Sequence, residues 1–202
     1  MYVEVVQGRT SDPAALRSAL DRWVEELAPG ATGWLGTTAG VTEDGRVLAV
    51  VRFESEEAAQ RAADRPEHRR WWSEAERSLE AVTTVRSSTD VTVDLQGDPD
   101  RAGFVQVMQG RTSDPARAAE LMGQDPDVWA EFRPDVLGSV TIGHEDGGYT
   151  VVLYFTSEAD AREGERKEVP LQLRGAMEEM DKLAVGPTDF SDVREPWLRS
   201  PA

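Results

Sequence analysis

The sequence predicts an α+β protein made of two tandem β-α-β-β-α-β repeats within 202 residues. Three observations carry that expectation: a ten-residue segment recurs in the second half, further segments recur at the same spacing, and each repeat holds a strand that is apolar on both faces.

Val5-Val6-Gln7-Gly8-Arg9-Thr10-Ser11-Asp12-Pro13-Ala14 returns as Val107-Met108-Gln109-Gly110-Arg111-Thr112-Ser113-Asp114-Pro115-Ala116, an offset of 102. The same offset pairs Leu35-Gly36 with Leu137-Gly138, Glu43-Asp44-Gly45 with Glu145-Asp146-Gly147, and Phe53 with Phe155. Asp21 to Glu25 matches Asp127 to Glu131 at a different spacing, which implies compensating insertions. Near the ends, Thr89-Asp90 is matched to Thr188-Asp189. Two units are too few for a solenoid, so the chain reads as a fused pair of small domains. Residues 1–98 form the first, 103–191 the second, and 192–202 a C-terminal tail that docks on one end or on another chain.

Each element has a local cause. Tyr2 to Arg9 is β-branched and apolar, hence a strand. Asp12 caps a helix that opens with Pro13 and carries Leu16, Leu20, Trp23 and Leu27 at helical spacing. Trp34 to Thr42 and Arg46 to Phe53 are strands joined by a hairpin at Glu43-Asp44-Gly45. Ser55 caps a second helix, which Pro66 interrupts and Glu67 to Leu79 continues. Val82 to Leu95 is the last strand. The second repeat follows at 103–111, 115–133, 136–144, 148–155 and 157–182, with a strand from near Val185. Its first helix breaks around Gly123 to Pro126 and its second at Pro170. This order is the ferredoxin-like unit.

Val47, Ala49, Val51 and Phe53 share one strand face, and Leu48, Val50 and Arg52 the other. Tyr149, Val151, Leu153 and Phe155 oppose Thr150, Val152 and Tyr154 in the same way. Helices cover one face, and the other needs a second sheet. The two repeats are therefore expected to pair into a single-chain α/β barrel, with Arg52 and Tyr154 on its inner face.

Opening strands that end in Gln-Gly-Arg, hairpins at Glu-Asp-Gly and units of about 100 residues together resemble the dimeric α/β-barrel superfamily. The resemblance is specifically to antibiotic-biosynthesis-monooxygenase-like domains, in two tandem copies. It implies a small-molecule site and, among its activities, cofactor-independent oxygenation or haem degradation. Those activities use an Asn near the first strand, with a helix-borne Trp and, for haem, a His. This chain contains no Asn, although Gln7 and Gln109 occupy that neighbourhood.

The candidate ligand-binding residues are Gln7, Arg9, Arg52, Gln109, Arg111, Tyr154 and His144. Arg can bind a carboxylate or enolate while Gln orients it, and either Arg can instead pair with an acidic side chain at the seam between repeats. His144 stands beside Glu145 and Asp146, where it could act as a base or simply end an exposed hairpin. His68-Arg69-Arg70-Trp71-Trp72 reads either as a haem-facing patch or as an amphipathic helix with Trp in the core.

The formal charge is −16, and residues 1–100 and 101–202 each carry 11 basic and 19 acidic residues. Such a surface repels nucleic acid and anionic membranes, so neither is expected as a partner. With no Cys and two His there is no thiolate nucleophile, disulfide or multi-His metal site, and no phosphate loop is present. No metal and no cofactor are expected. No signal-like N-terminus is seen, and a cytoplasmic location is expected. The expected function is small-molecule binding, with cofactor-independent monooxygenase-like action on an aromatic or polyketide-type substrate. The alternatives are a non-catalytic binding or stress-associated protein and, third, haem binding through His68 or His144. Association of two such chains is possible.

Overall fold

The computed structural model describes residues 1–201, without the side chains of residues 82 and 83. The chain divides into two compact units: Met1–Val91 joined by the segment from Glu195 onward, and Thr92–Arg194. In chain order the elements are β1 (Tyr2–Arg9), α1 (Pro13–Glu26), β2 (Trp34–Val41), β3 (Arg46–Phe53), α2 (Glu56–Asp64), α3 (Pro66–Ala75), β4 (Ala81–Ser88) and β5 (Val91–Leu95). There follow β6 (Phe104–Arg111), α4 (Pro115–Met122), α5 (Pro126–Phe132), β7 (Val136–Gly143), β8 (Gly148–Phe155), α6 (Glu158–Glu165), α7 (Leu171–Leu183), β9 (Asp189–Val193) and β10 (Trp197–Arg199). The two five-stranded sheets have the orders β10-β2-β3-β1-β4 and β5-β7-β8-β6-β9. Tandem ferredoxin-like units are thus present, each with one strand added beside its second.

The caps act as their sequence suggests. The Asp12 and Asp114 carboxylates each accept a 3.0 Å bond from the third residue onward, Ala15 and Arg117. Ser55 and Ser157 do the same for Ala58 and Asp160.

Three boundaries differ from expectation. Val82 to Leu95 is two strands, because Asp90 N–H donates to Ser88 Oγ (3.0 Å) and turns the chain after β4. β5 then enters the second sheet. The last strand of the second unit starts at Asp189 rather than Val185, since Gly186 adopts φ +78° and Pro187 follows it. Residues 192–202 are not one docked tail: 192 and 193 complete β9, and β10 becomes an edge strand of the first sheet, with Trp197 opposite Ala39. Register also corrects one repeat match. Ser88 lies opposite Val3 and Val193 opposite Val105, so residue 88 corresponds to 193, and Thr89-Asp90 is not the spatial counterpart of Thr188-Asp189.

The faces sort as the alternation requires. Phe53 packs with Trp23, Ala58, Ala59 and Ala62 from the helices, and Phe155 with Phe104 and Ala161. On the opposite face Val50, Val152 and Tyr154 are buried too. Arg52 and Tyr154 lie on this second face, not among the helices.

In both units the repeated segments hold one another. Thr10 N–H donates to Gly45 O (3.0 Å), and Thr112 N–H to Gly147 O (2.8 Å). Gly45 and Gly147 have φ of +81° and +77°, and a Cβ on Gly147 would collide with the Thr112 carbonyl oxygen. Gly147→Ala should therefore destabilise the second unit by about 1–3 kcal/mol, read as a lower urea midpoint; an unchanged midpoint would refute the account. Deleting residues 195–202 removes β10 and should lower the Tm and expose the edge of β2. Loss of either effect would show that β10 contributes nothing to the first sheet.

Candidate functional site

The first unit has a cavity of ≈ 130 Å³, partly open to solvent, between its sheet and its helices. Small side chains create it. Ala59, Ala62 and Ala63 of α2 and Ala75 of α3 face Ala39 and Ala49 of the sheet, where larger residues would close the layer. Leu16, Leu20 and Trp23 of α1 and Trp71 of α3 form further walls, and Trp197 of β10 joins them. The space is reached from solvent: Ala49 and Val51, in the middle of β3, are only half-buried.

The aromatic wall is braced. Trp71 Nε1 donates to Ala19 O (2.7 Å) and Trp34 Nε1 to Thr37 Oγ1 (3.1 Å). Trp23 meets Trp34 edge-on with centroids 5.0 Å apart. The Trp23 Nε1 is sealed from solvent and has no hydrogen-bond partner among the described residues.

Two titratable groups face this apolar space, Glu4 of β1 and His68 of α3. Glu4 is on the helix-facing side of a central strand, opposite Val51. Burial pushes its pKa above the ordinary value of 4.5. His68 lies 5.5 Å from the Trp71 ring and 6.4 Å from Trp23, centroid to centroid. Burial, followed by the nearby Arg65 charge, holds its pKa below 6.5, so the imidazole is neutral at physiological pH. Among the described residues neither side chain has a hydrogen-bond or ion-pair partner.

The residues singled out from sequence lie elsewhere. Arg9 donates to Asp44 O (2.5 Å), and Arg111 to Asp146 O (2.8 Å) with its Nη1 3.0 Å from Asp146 Oδ2. Both guanidiniums thus grip the hairpin tip of their own unit. Gln7 is in β1 opposite Leu48, on the face away from the helices. Arg52 shares that face, and its Nε is buried without a hydrogen-bond partner among the described residues. In the second unit Gln109 and His144 are brought together: Gln109 Nε2 donates to Thr150 Oγ1 (3.0 Å), and His144 Nε2 is 2.9 Å from the same hydroxyl. Tyr154 is on the same strand face as Thr150, about 13 Å along. Glu4 was not singled out from sequence. Its signal is an acid in the alternation Tyr2, Glu4, Val6, Gly8, on a strand that has neighbours on both edges.

Among the described residues no group of three or more His, Asp or Glu side chains could hold a metal. The cavity beside His68 is the size that holds a single benzene-like ring, smaller than a haem macrocycle. His144 is tied to the fully buried Thr150. No helix is long and apolar enough to cross a membrane among the described residues.

Solved structures share the architecture over nearly the whole chain. A "putative monooxygenase" from Lactobacillus acidophilus NCFM superposes with TM-score 0.75 at 8% identity, covering 98% of this chain and 99% of that one. Another, from Fusobacterium nucleatum, gives 0.74 at 10% identity, covering 98% and 94%. An anthrone oxidase-like protein gives 0.62 at 13% identity, covering 98% and 93%. The chain has their fold. No protein-family model matches it, and no curated protein matches its sequence. At such identities the likeness concerns the fold, and chemistry must be argued from the side chains.

Because burial raises the Glu4 pKa, the folded state keeps this proton to higher pH than the unfolded chain does. Stability is therefore lost as pH rises from the unfolded value of 4.5 through the folded one. Glu4→Gln should be more stable than wild type at pH 8, and the difference should shrink on acidification to pH 4. Urea midpoints at both pH values test this, and a pH-independent difference would refute it.

Proposed function

We propose that the protein binds a small aromatic molecule in the first unit and acts on it as a cofactor-independent, monooxygenase-like enzyme. One observation carries the reading: two unpartnered titratable groups, Glu4 and His68, face an apolar cavity. The apolar walls favour an aromatic body, and the cavity volume suits one ring with any further ring at the mouth. The neutral imidazole has a lone pair free to take a proton from the bound molecule. An electron-rich anion left in this way can reduce O₂ directly. A ring-flanked CH₂ would gain one oxygen atom as a carbonyl, and the second oxygen would leave as water with the two hydrogens. The fold neighbours named as monooxygenases and anthrone oxidase-like are in keeping with such chemistry.

The absence of Asn, which the resembling oxygenases use, favours a second reading in which the pocket binds without catalysis. One measurement separates the two. With an anthrone-type substrate, the enzyme reading expects tryptophan fluorescence quenching together with uptake of one O₂ per molecule consumed. His68→Ala should slow uptake about 10²-fold or more. Quenching without oxygen uptake would leave only the binding protein, and absence of both would reject the pocket.

A further inference from the structure

The repeat can be laid on itself residue by residue around Glu4. In β1, Glu4 lies opposite Val51 of β3 and Ser87 of β4. In β6, the equivalent Gln106 lies opposite Leu153 of β8 and Asp192 of β9. Above this point the second unit carries Arg162 in α6, where the first has Gln60 in α2.

The second unit is closed upon itself. Gln106 Nε2 donates to Asp192 Oδ1 (3.0 Å), Asp192 is paired to Arg162, and the Arg162 guanidinium covers the Phe104 ring at 5.2 Å from its centroid. Acceptor, donor and counter-charge are all supplied internally. In the first unit the same three positions hold Glu4, Ser87 and Gln60. The carboxylate has moved onto the central strand, its cation is missing, and Gln60 turns away to donate to Asp64 (3.1 Å). A half-buried carboxylate without a donor is costly, and a ligand that supplies the donor recovers that cost.

Resting on the pocket assignment above, the geometry points to Glu4 as the specificity-determining residue of a single site per chain, selecting small aromatic molecules that carry a hydroxyl. The hydroxyl donates to the Glu4 carboxylate while the ring occupies the alanine-lined space. The walls around the carboxylate are apolar, so a neutral hydroxyl, which gives up less hydration on entry than an ammonium, is the donor that fits. The second unit offers no such acceptor, since Gln106 and Asp192 are already engaged with one another.

Phenol and its near-isostere toluene test this by calorimetric titration of the full chain at pH 7.5. The readout is the ratio of toluene Kd to phenol Kd, in wild type, Glu4→Gln and Glu4→Leu. Glu4→Leu should lower that ratio about tenfold or more, and Glu4→Gln should fall between. Saturation should come at one phenol per chain. Retained toluene binding reports an intact cavity in each variant. If toluene binds and the ratio does not move, or if two phenols bind equally, this inference is overturned while the pocket assignment stands. If neither probe binds wild type, both fall.

Discussion

Register along the central strand is the constraint on which the rest depends. A strand slipped by one residue turns every side chain to the opposite face. In each unit the end of the central strand is fixed by the clasp between its Gln-Gly-Arg-Thr segment and the Glu-Asp-Gly hairpin. Backbone bonds from Thr10 and Thr112 set the register, and Arg9 and Arg111 close over the tip. The two most faithfully repeated segments are repeated together because they are two halves of one contact. With that contact in place, Glu4 must face the helices and Gln7 must face away.

Given this scaffold, the difference between the units is one of filling. Both place an aromatic from the third strand beneath the helices, Phe53 and Phe155. The second unit seats Arg133 over Phe155 at 5.4 Å, bound to the buried Asp135 by two nearly parallel bonds of 3.0 and 2.7 Å. Its guanidinium occupies the space beside Gly164, where the first unit has Ala62. The first unit instead meets its sheet with alanines and keeps a space. Interiors pack at near-crystalline density, so an open volume walled by Trp and Ala is a feature to be explained rather than slack.

Much of the fold was legible because its signals are local or repeated. Asp12-Pro13, Ser55 and the hairpin glycines specify their own caps and turns, and the 102-residue offset shows the duplication directly. The exchange of β5 and β10 was not legible. Whether a strand pairs with its own repeat or the next is decided by partners far along the chain, and alternation reads the same in either case. The site was legible only in part. Gln, Arg and His drew attention as chemistry-bearing types, yet Arg9 and Arg111 find carbonyl and carboxylate partners on the hairpin tips. Glu4 looked like one more acid in an acidic chain. The role proposed for it rests on an absence, the missing arginine on the helix above, and only alignment of the two repeats in space makes that visible.

Duplication explains how such an absence can be tolerated. One copy retains the internally neutralised arrangement of Gln106, Asp192 and Arg162, which orders its helix against its sheet without outside help. Both sheets gain a strand, β10 in the first and β5 in the second, but β10 also brings Trp197, a wall of the first unit's cavity that its own repeat does not encode. The first unit is thereby completed by residues that follow the second in sequence. A carboxylate left unpaired on the central strand is a local cost, and extra apolar contact from that borrowed strand is of the kind that offsets it. In this arrangement the added strand and the unpaired acid meet at one place, since Trp197 and Glu4 line the same cavity.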